Sequence, residues 1–300
     1  MGGIPSQYMS TGDVKLVVLG IAQDGGVPQA GCECERCADA MNDHSKILHP
    51  VSCMIRGSDG SIHLVEASRA IASQLGIASA SLGIGKSATP DSVSLTHAHL
   101  GHIDGLGQFG KEVMGLKGVP LFASPSVIRA IDLRGFSGPF QTNEVVAGVP
   151  FSPSEGCGFE LEFIRVPHRD EYSDTHAIKI VGPAHSLLFL PDHDDWDGTL
   201  EMVGKRDIRE WLSALEVNYA LFDGTFWSGG ELGGRDMSQI PHPTIMDTLS
   251  RLGKKKKEDP EIFFIHLNHT NPALVPDSEE SKELGSAGWA VVEQGSVIVL

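Results

Sequence analysis

The sequence predicts an α/β protein whose polar site lies at one rim of its sheets. Three observations carry that reading. Short apolar, β-branched runs alternate with segments that bear helix signals. Five of those runs end in a His or an Asp: His97, His168, Asp192, Asp223 and His266. After one of them, Ser94-Leu95-Thr96-His97-Ala98-His99-Leu100-Gly101-His102-Ile103-Asp104-Gly105 places three histidines within six residues. Many separate coincidences would be needed to produce this pattern without a site.

The elements follow in order. Lys15 to Leu19 is a buried first strand, followed by a turn-rich loop, Gly20 to Pro28. The glycine spacing there is not that of a dinucleotide fingerprint. Ser52 to Arg56 and Ser61 to Val65 form a hairpin around Asp59-Gly60. A helix is expected from about Ser68 to Leu75. Asp91 to Leu95 is the strand that ends in the histidine cluster, and a short helix is expected from Gly105 to Met114. Pro120 to Ala123 is a strand. Ser124 then caps a helix that has Pro125 at its first position. Phe159 to Val166 pairs with Thr175 to Val181. Ser186 to Leu190, Tyr219 to Phe222, Ile262 to Ile265, Ala290 to Val292 and Ser296 to Leu300 complete the strands.

Three hundred residues, 41% of them hydrophobic, can bury a large core. With no linker or repeat in view, one domain over residues 1–300 is expected. No stretch approaches the ~20 apolar residues of a membrane span. Met1 to Asp13 lacks the basic and apolar regions of a signal peptide, so a cytoplasmic location is expected. Lys and Arg number 23 against 39 Asp and Glu, a net charge of −16. That field disfavours nucleic acid and large anions, although a small anion can still bind directly to a metal. The expected partner is a small-molecule substrate, with no nucleic acid and no membrane. A homodimer stays open.

The chemistry-bearing residues form two groups. Alternate side chains of an extended segment point the same way, so His97 and His99 can converge on one point. His102, three residues on, can be aimed there by a turn of helix. Imidazole is the commonest protein metal ligand, and such clustering at a strand end suits a metal. The second group is Cys32-Glu33-Cys34-Glu35-Arg36-Cys37. Three thiols within six residues suit tetrahedral zinc, which wants a fourth ligand from elsewhere. A redox Cys34-x-x-Cys37 is less favoured, because no thioredoxin-like helix follows in the pattern.

These residues resemble the metallo-β-lactamase superfamily, whose pattern is His-x-His-x-Asp-His, then a His, an Asp and a final His, each after its own strand. The matches are His97, His99 and His102, then His168, Asp192 and His266. Within the superfamily the chain resembles the pyrroloquinoline quinone biosynthesis protein B family. The shared segments are Gly31 to Cys37, Thr96 to His102, Asp223 to Trp227 and His266-Leu267-Asn268-His269-Thr270-Asn271-Pro272. It is also similar to the phosphonate-catabolism cyclic phosphodiesterase, which shares the cysteine loop. The resemblance implies a four-layer αβ/βα sandwich with the metal site on one edge. It implies that His269 is the fourth zinc ligand of Cys32, Cys34 and Cys37; His49 is the alternative. It implies His97, His99 and His168 as one metal position and His102 and His266 as part of a second, with Asp192 between them. Asp192 and His266 are then the residues expected at the reaction itself.

One position departs from the pattern. The superfamily has Asp where this chain has Gly101, and glycine offers no ligand. Either the second ion binds weakly or the site works with one, unless Asp104 compensates. The structural ion implied is zinc; zinc, manganese or iron is open for the active site, as one ion or two. Asp223 either orients a histidine or caps its strand. His193, with Asp194 and Asp195, lines the pocket or forms a polar turn. Arg169 contacts an anionic substrate or, by preference, pairs with Asp170 or Glu171. His176 and His242 are read as structural. The function expected is hydrolysis of a small ester or phosphodiester by metal-activated water. The alternatives are an iron-dependent oxygenase related to quinone cofactor synthesis and a non-catalytic metal-binding protein.

Overall fold

A computed structural model describes residues 12–85, 88–231 and 240–300. The expectation that no leader is present falls mostly on residues 1–11, outside the described residues. The first part of the chain forms β1 (Lys15–Gly20), α1 (Glu35–Asn42), β2 (Ser52–Arg56), β3 (Ile62–Val65), α2 (Ile71–Ser81), β4 (Ser92–Ser94), α3 (Leu100–Ile103), β5 (Val119–Ala123), α4 (Pro125–Leu133) and β6 (Phe140–Glu144). The second part forms β7 (Glu160–Val166), β8 (Thr175–Val181), β9 (Ser186–Leu190), α5 (Trp196–Met202), α6 (Ile208–Leu215), β10 (Tyr219–Asp223), α7 (Ile245–Leu252), β11 (Glu261–Ile265), α8 (Glu279–Ala287), β12 (Ala290–Val291) and β13 (Val297–Val299). Among the described residues no helix is long and apolar enough to cross a membrane.

The strands make two mixed sheets, ordered β13-β1-β2-β3-β4-β5-β6 and β12-β11-β10-β9-β8-β7. The alternation of β1 explains the layering. Leu16 and Val18 point between the sheets, with Cys53, Ile55, Phe163, Ile178, Phe189, Leu221 and Ile265. Val17 and Leu19 point the other way, onto a cluster that holds Ile71 and Leu75 of α2 and Val127 and Ile131 of α4. The outer face of the second sheet buries Leu188, Leu190, Phe222 and Phe264 against Trp196, Leu200, Trp211 and Ile245 from α5 to α7. Helices therefore cover both outer faces, which gives the expected four-layer αβ/βα sandwich. Strands buried on both faces read as continuous apolar runs, as these do.

Strand direction sets where the site falls. β7 is antiparallel to β8, and β8 to β9, while β9, β10 and β11 run parallel. The C-terminal ends of β7, β9, β10 and β11 therefore lie at one edge. In the first sheet, β1 and β3 share a direction because each is antiparallel to β2, and β4 is parallel to β3. The loop after β1 meets the second sheet directly. Leu267 N–H donates to Ile21 O at 2.8 Å, and Gln23 N–H donates to Leu267 O at 2.9 Å.

Several local expectations change. The helix expected from Ser68 to Leu75 is α2, which starts later and runs to Ser81 because Ala78 continues its buried face. The helix expected over Gly105 to Met114 begins earlier, as α3, and continues as a 3-10 turn over Asp104–Phe109. Cys34-x-x-Cys37 does open a helix, α1, with Cys34 as its N-cap. Ser124 caps α4 as expected, accepting from Val127 N–H.

Candidate metal centres

The strand ends bring the predicted histidines together. His97 follows β4, His168 follows β7 and His266 follows β11, while α3 carries His102 back beside them. The rings of His97 and His102 are 4.2 Å apart and those of His97 and His99 4.5 Å apart. His97, His102, His168, Asp192 and His266 are each at most 2% exposed. Asp192 Oδ2 lies 3.1 Å from His102 Nε2, and Asp192 Oδ1 lies 3.7 Å from His168 Nε2. The carboxylate thus sits between the two groups of histidines.

Each of four histidines has its Nδ1 beside a protein oxygen. Thr96 Oγ1 is 2.9 Å from His97, and Thr225 Oγ1 is 2.8 Å from His266. Asp194 Oδ1 is 3.2 Å from His168, and Glu66 Oε2 is 3.4 Å from His102. At His97 and His266 the hydrogen bond at Nδ1 fixes the ring orientation and directs a lone pair to Nε2, the arrangement that surrounds metal-ligating histidines, whereas at His168 and His102 the carboxylate lies near Nδ1 without a hydrogen bond. His97 Nε2, His102 Nε2, His266 Nε2 and Asp192 Oδ2 are buried and have no hydrogen-bond partner. Orphaned buried polar atoms cost about 1–3 kcal/mol each, so their convergence on one point fits a cation.

Electrostatics agree. Burial pushes His97 well below its ordinary value, and the neighbouring His102 adds to this. Burial takes His99 down to about 4, helped by His168. Burial alone would raise Asp192, but His266 and His102 outweigh it and hold the carboxyl well below its usual range. Burial lowers His102 too, but the carboxylates of Asp192 and Glu66 outweigh it and raise that ring well above its ordinary value. His97 and His99 are thus in the neutral donor form beside an ionised carboxylate, and a cation bound at His102 would displace its proton.

Two side chains here carry strained backbone. His266 has φ +63° and Glu66 has φ +65°, both in the left-handed region that ordinary side chains avoid. Glu66 is wholly buried and accepts from Thr96 N–H at 3.0 Å. Strain of this kind, of order 1–3 kcal/mol per residue, clusters at functional sites.

The remaining expectations divide. Asp223 is not confined to capping its strand. Its Oδ1 accepts from Thr225 Oγ1 at 2.7 Å, and that hydroxyl faces His266, so Asp223 orients the histidine through Thr225. His193 is buried against Trp196 with its Nδ1 2.8 Å from Thr199 Oγ1, so α5 holds the ring. Its backbone N–H reaches Asp223 Oδ2 at 3.3 Å. Arg169 pairs with Glu171 at 2.5 Å, the favoured alternative. Asp104 does not compensate for Gly101, because it is engaged by Arg69 at 3.2 Å. His176 is buried beside Phe163, as a structural residue should be.

His242 is a correction. Read as structural, it stands in the site, 2.7 Å from Asp223 Oδ2 and 3.8 Å from Asp192 Oδ1. No apolar strand-like run precedes it in the sequence, so strand-end reasoning passes it over. Asp24 was also missed. Its Oδ1 is 3.5 Å from His102 Nε2 and 3.7 Å from His266 Nε2.

The cysteine group is equally compact. His269 Nδ1 lies 3.6 Å from Cys32 Sγ, 3.5 Å from Cys34 Sγ and 3.7 Å from Cys37 Sγ. A tetrahedral ion with Zn–S of ~2.3 Å and Zn–N of ~2.0 Å requires N···S separations of about 3.6 Å. His49, the alternative, is not among the donors gathered there, which are Cys32, Cys34, Cys37 and His269. No disulfide competes, since all three cysteines are free.

Residues 64–266 match the family model described as the beta-lactamase superfamily domain. The chain belongs to the metallo-β-lactamase superfamily. It is 26% identical over 320 residues to the coenzyme PQQ synthesis protein B of Ruegeria pomeroyi, covering 96% of this chain and all of that one. The corresponding protein of Bradyrhizobium diazoefficiens is 25% identical over 315 residues, with the same coverage. Among solved structures, Zn(2+)-bound PqqB from Methylobacterium extorquens superposes with a TM-score of 0.74 at 22% identity, over 95% of this chain and 100% of that chain. A diphosphatase of the PhnP family gives 0.63 at 19% identity, over 96% and 97%. Both structural likenesses show the superfamily's two-sheet fold.

Proposed function

We infer that this superfamily member is a metal-dependent hydrolase of a small ester or phosphodiester. The observation that carries the reading is the set of buried, unpartnered donor atoms on His97, His102, His266 and Asp192, aimed at one another at the sheet edge. Ions held there would lower the pKa of water to about 7 and polarise the oxygen of the bond to be broken. The chain's own residues supply the rest. Asp192, kept ionised by His266 and His102, accepts a proton from the attacking water. Burial lowers His242, but the Asp223 carboxylate more than offsets this and raises the imidazole above its ordinary value. The ring stands 3.8 Å from Asp192 Oδ1, where its protonated form is placed to supply a proton to a departing oxygen. The net charge of −16 favours a small substrate gripped by the metals over an extended polyanion. Structural likeness to a diphosphatase supports phosphorus as the reacting centre. Cys32, Cys34, Cys37 and His269 would hold a zinc that secures the rim.

The similarity to coenzyme PQQ synthesis proteins along 96% of the chain favours a second reading, iron-dependent hydroxylation in quinone cofactor assembly. Histidines with a carboxylate suit iron(II) as well as zinc. A panel of aryl esters, phosphomonoesters and phosphodiesters, assayed with zinc-, manganese- and iron-loaded protein, tests the first reading. Turnover that His97→Ala abolishes is expected. No turnover on the whole panel, or turnover that survives His97→Ala, sinks it. Oxygen uptake seen only with iron replaces it by the second.

A further inference from the structure

The geometry points to Asp24 as a transposed metal ligand: its carboxylate, carried by the loop after β1, takes the place of the side chain that position 101 lacks, and completes a second metal position with His102 and His266. The inference rests on the metal-centre reading above and concerns which residues build that centre.

Position 101 shows the substitution most directly. A Cβ added to Gly101 would lie 2.2 Å from Asp24 Oδ1, 2.5 Å from Asp24 Cγ and 2.6 Å from Asp24 Cα. The volume that any side chain at 101 needs is therefore filled by the Asp24 carboxylate and its backbone. Gly101 is not simply a lost ligand. It is the residue that lets a carboxylate arrive from another loop.

The carboxylate reaches the right partners. Asp24 Oδ1 faces His102 Nε2 at 3.5 Å and His266 Nε2 at 3.7 Å. Both nitrogens are buried and otherwise without a hydrogen-bond partner. These separations exceed a hydrogen bond but suit three atoms placed around one cation. The three donors lie within 4.8 Å of one another, as do those of His97, His99 and His168, which form the first position. Asp192, between the groups, is shared by both.

The backbone explains how a Gly-rich turn aims a side chain. Leu267 follows His266, and its two hydrogen bonds to Ile21 and Gln23 fix the loop after β1 in register with the end of β11. Gly26 N–H then donates to Gln23 O at 2.8 Å, closing the turn that bears Asp24. The ligand's position is thus set by pairing across the two sheets.

Metal counting tests this independently of turnover. Metal-free protein is titrated with Co(II) by equilibrium dialysis, and the ions bound per chain are read together with visible absorption from the thiolate site as an internal control of folding. Wild type is expected to bind one ion at the cysteines and two at the histidine centre. Asp24→Asn should leave the thiolate spectrum intact and weaken one of the two other ions about 100-fold or more. Gly101→Asp alone should also weaken it, because the added side chain collides with Asp24. The inference is overturned if Asp24→Asn binds the same ions as wild type within threefold. Wild-type turnover with unchanged metal content in Asp24→Asn refutes the ligand assignment and leaves the hydrolase reading standing. The expected metal counts without turnover on the ester and phosphodiester panel do the reverse.

Discussion

Replacing Thr225 by Val should loosen His266 without touching a proposed ligand. The two side chains have nearly the same shape, so the change removes one hydroxyl from a wholly buried position. That hydroxyl donates to Asp223 Oδ1 at 2.7 Å and accepts from His266 Nδ1 at 2.8 Å. In the variant, Asp223 Oδ1 keeps the Thr225 N–H at 2.9 Å, so the carboxylate is only partly deprived. His266 Nδ1 loses its closest partner in a site where the ring is 1% exposed. An orphaned buried donor costs ~1–3 kcal/mol, and the lost charge-assisted bond to Asp223 about as much again, so about 3 kcal/mol in all is expected. With unfolding entropy of roughly 2.1 cal/mol/K per residue, that is a fall in Tm of about 5 °C for a chain of this size. Metal affinity at the histidine centre should drop about 10–100-fold, the usual consequence of removing a group that orients a ligating histidine. Scanning calorimetry and cobalt titration read the two effects separately. Thr225→Ser, which keeps the hydroxyl, should retain metal affinity near wild type. If Thr225→Val binds metal like wild type, or if Thr225→Ser loses affinity equally, the Asp223–Thr225–His266 relay is not what positions the histidine.

Two further outcomes are expected. Cys34→Ser or His269→Ala should each remove one zinc per chain and lower Tm while leaving the metal count at the histidine centre unchanged; elemental analysis of the variants checks this, and loss of both classes of ion would contradict it. The buried His63, lowered by burial from the ordinary 6.5 to about 4, makes stability pH-dependent. Its folded value lies below its unfolded one, so the unfolded chain takes up the proton first. Stability contributed by the neutral ring is present above pH 6.5 and falls away as pH drops toward 4, by up to about 3 kcal/mol. His63→Asn should flatten the urea-midpoint profile between those limits, and an unchanged slope would show that other groups control it.

How much was legible follows from what a strand-end argument can see. Buried strands with an apolar run and a polar terminus announce themselves in sequence, so His97, His168, Asp192, Asp223 and His266 could be placed at a common edge. Asp24 could not, because an Asp between Gln23 and Gly25 reads as an ordinary turn residue. Its position is fixed by bonds between Gln23 and Leu267, far apart in the chain. His242 follows no apolar run in the sequence and lies just before α7, so nothing local distinguishes it. α1 was missed because it is short and its N-cap, Cys34, makes no side-chain capping bond. α2 was cut short because Gly76 weakens the local helix signal, whereas tertiary burial of Ala78 carries the helix on to Ser81.

The cysteine centre draws its members from opposite ends of the chain: Cys32 and His269 are 237 positions apart. An ion shared between them would act as a reversible cross-link. In an unfolded chain it would close a loop of that length, and the loop-closure relation puts the resulting loss of denatured-state entropy at about 5 kcal/mol. A chelator that strips this ion would then be felt less in the chemistry than in the tether. The segment between β1 and α1 would become the first place for a protease to cut, and the order of metal loss would decide whether the protein dies by inactivation or by unravelling.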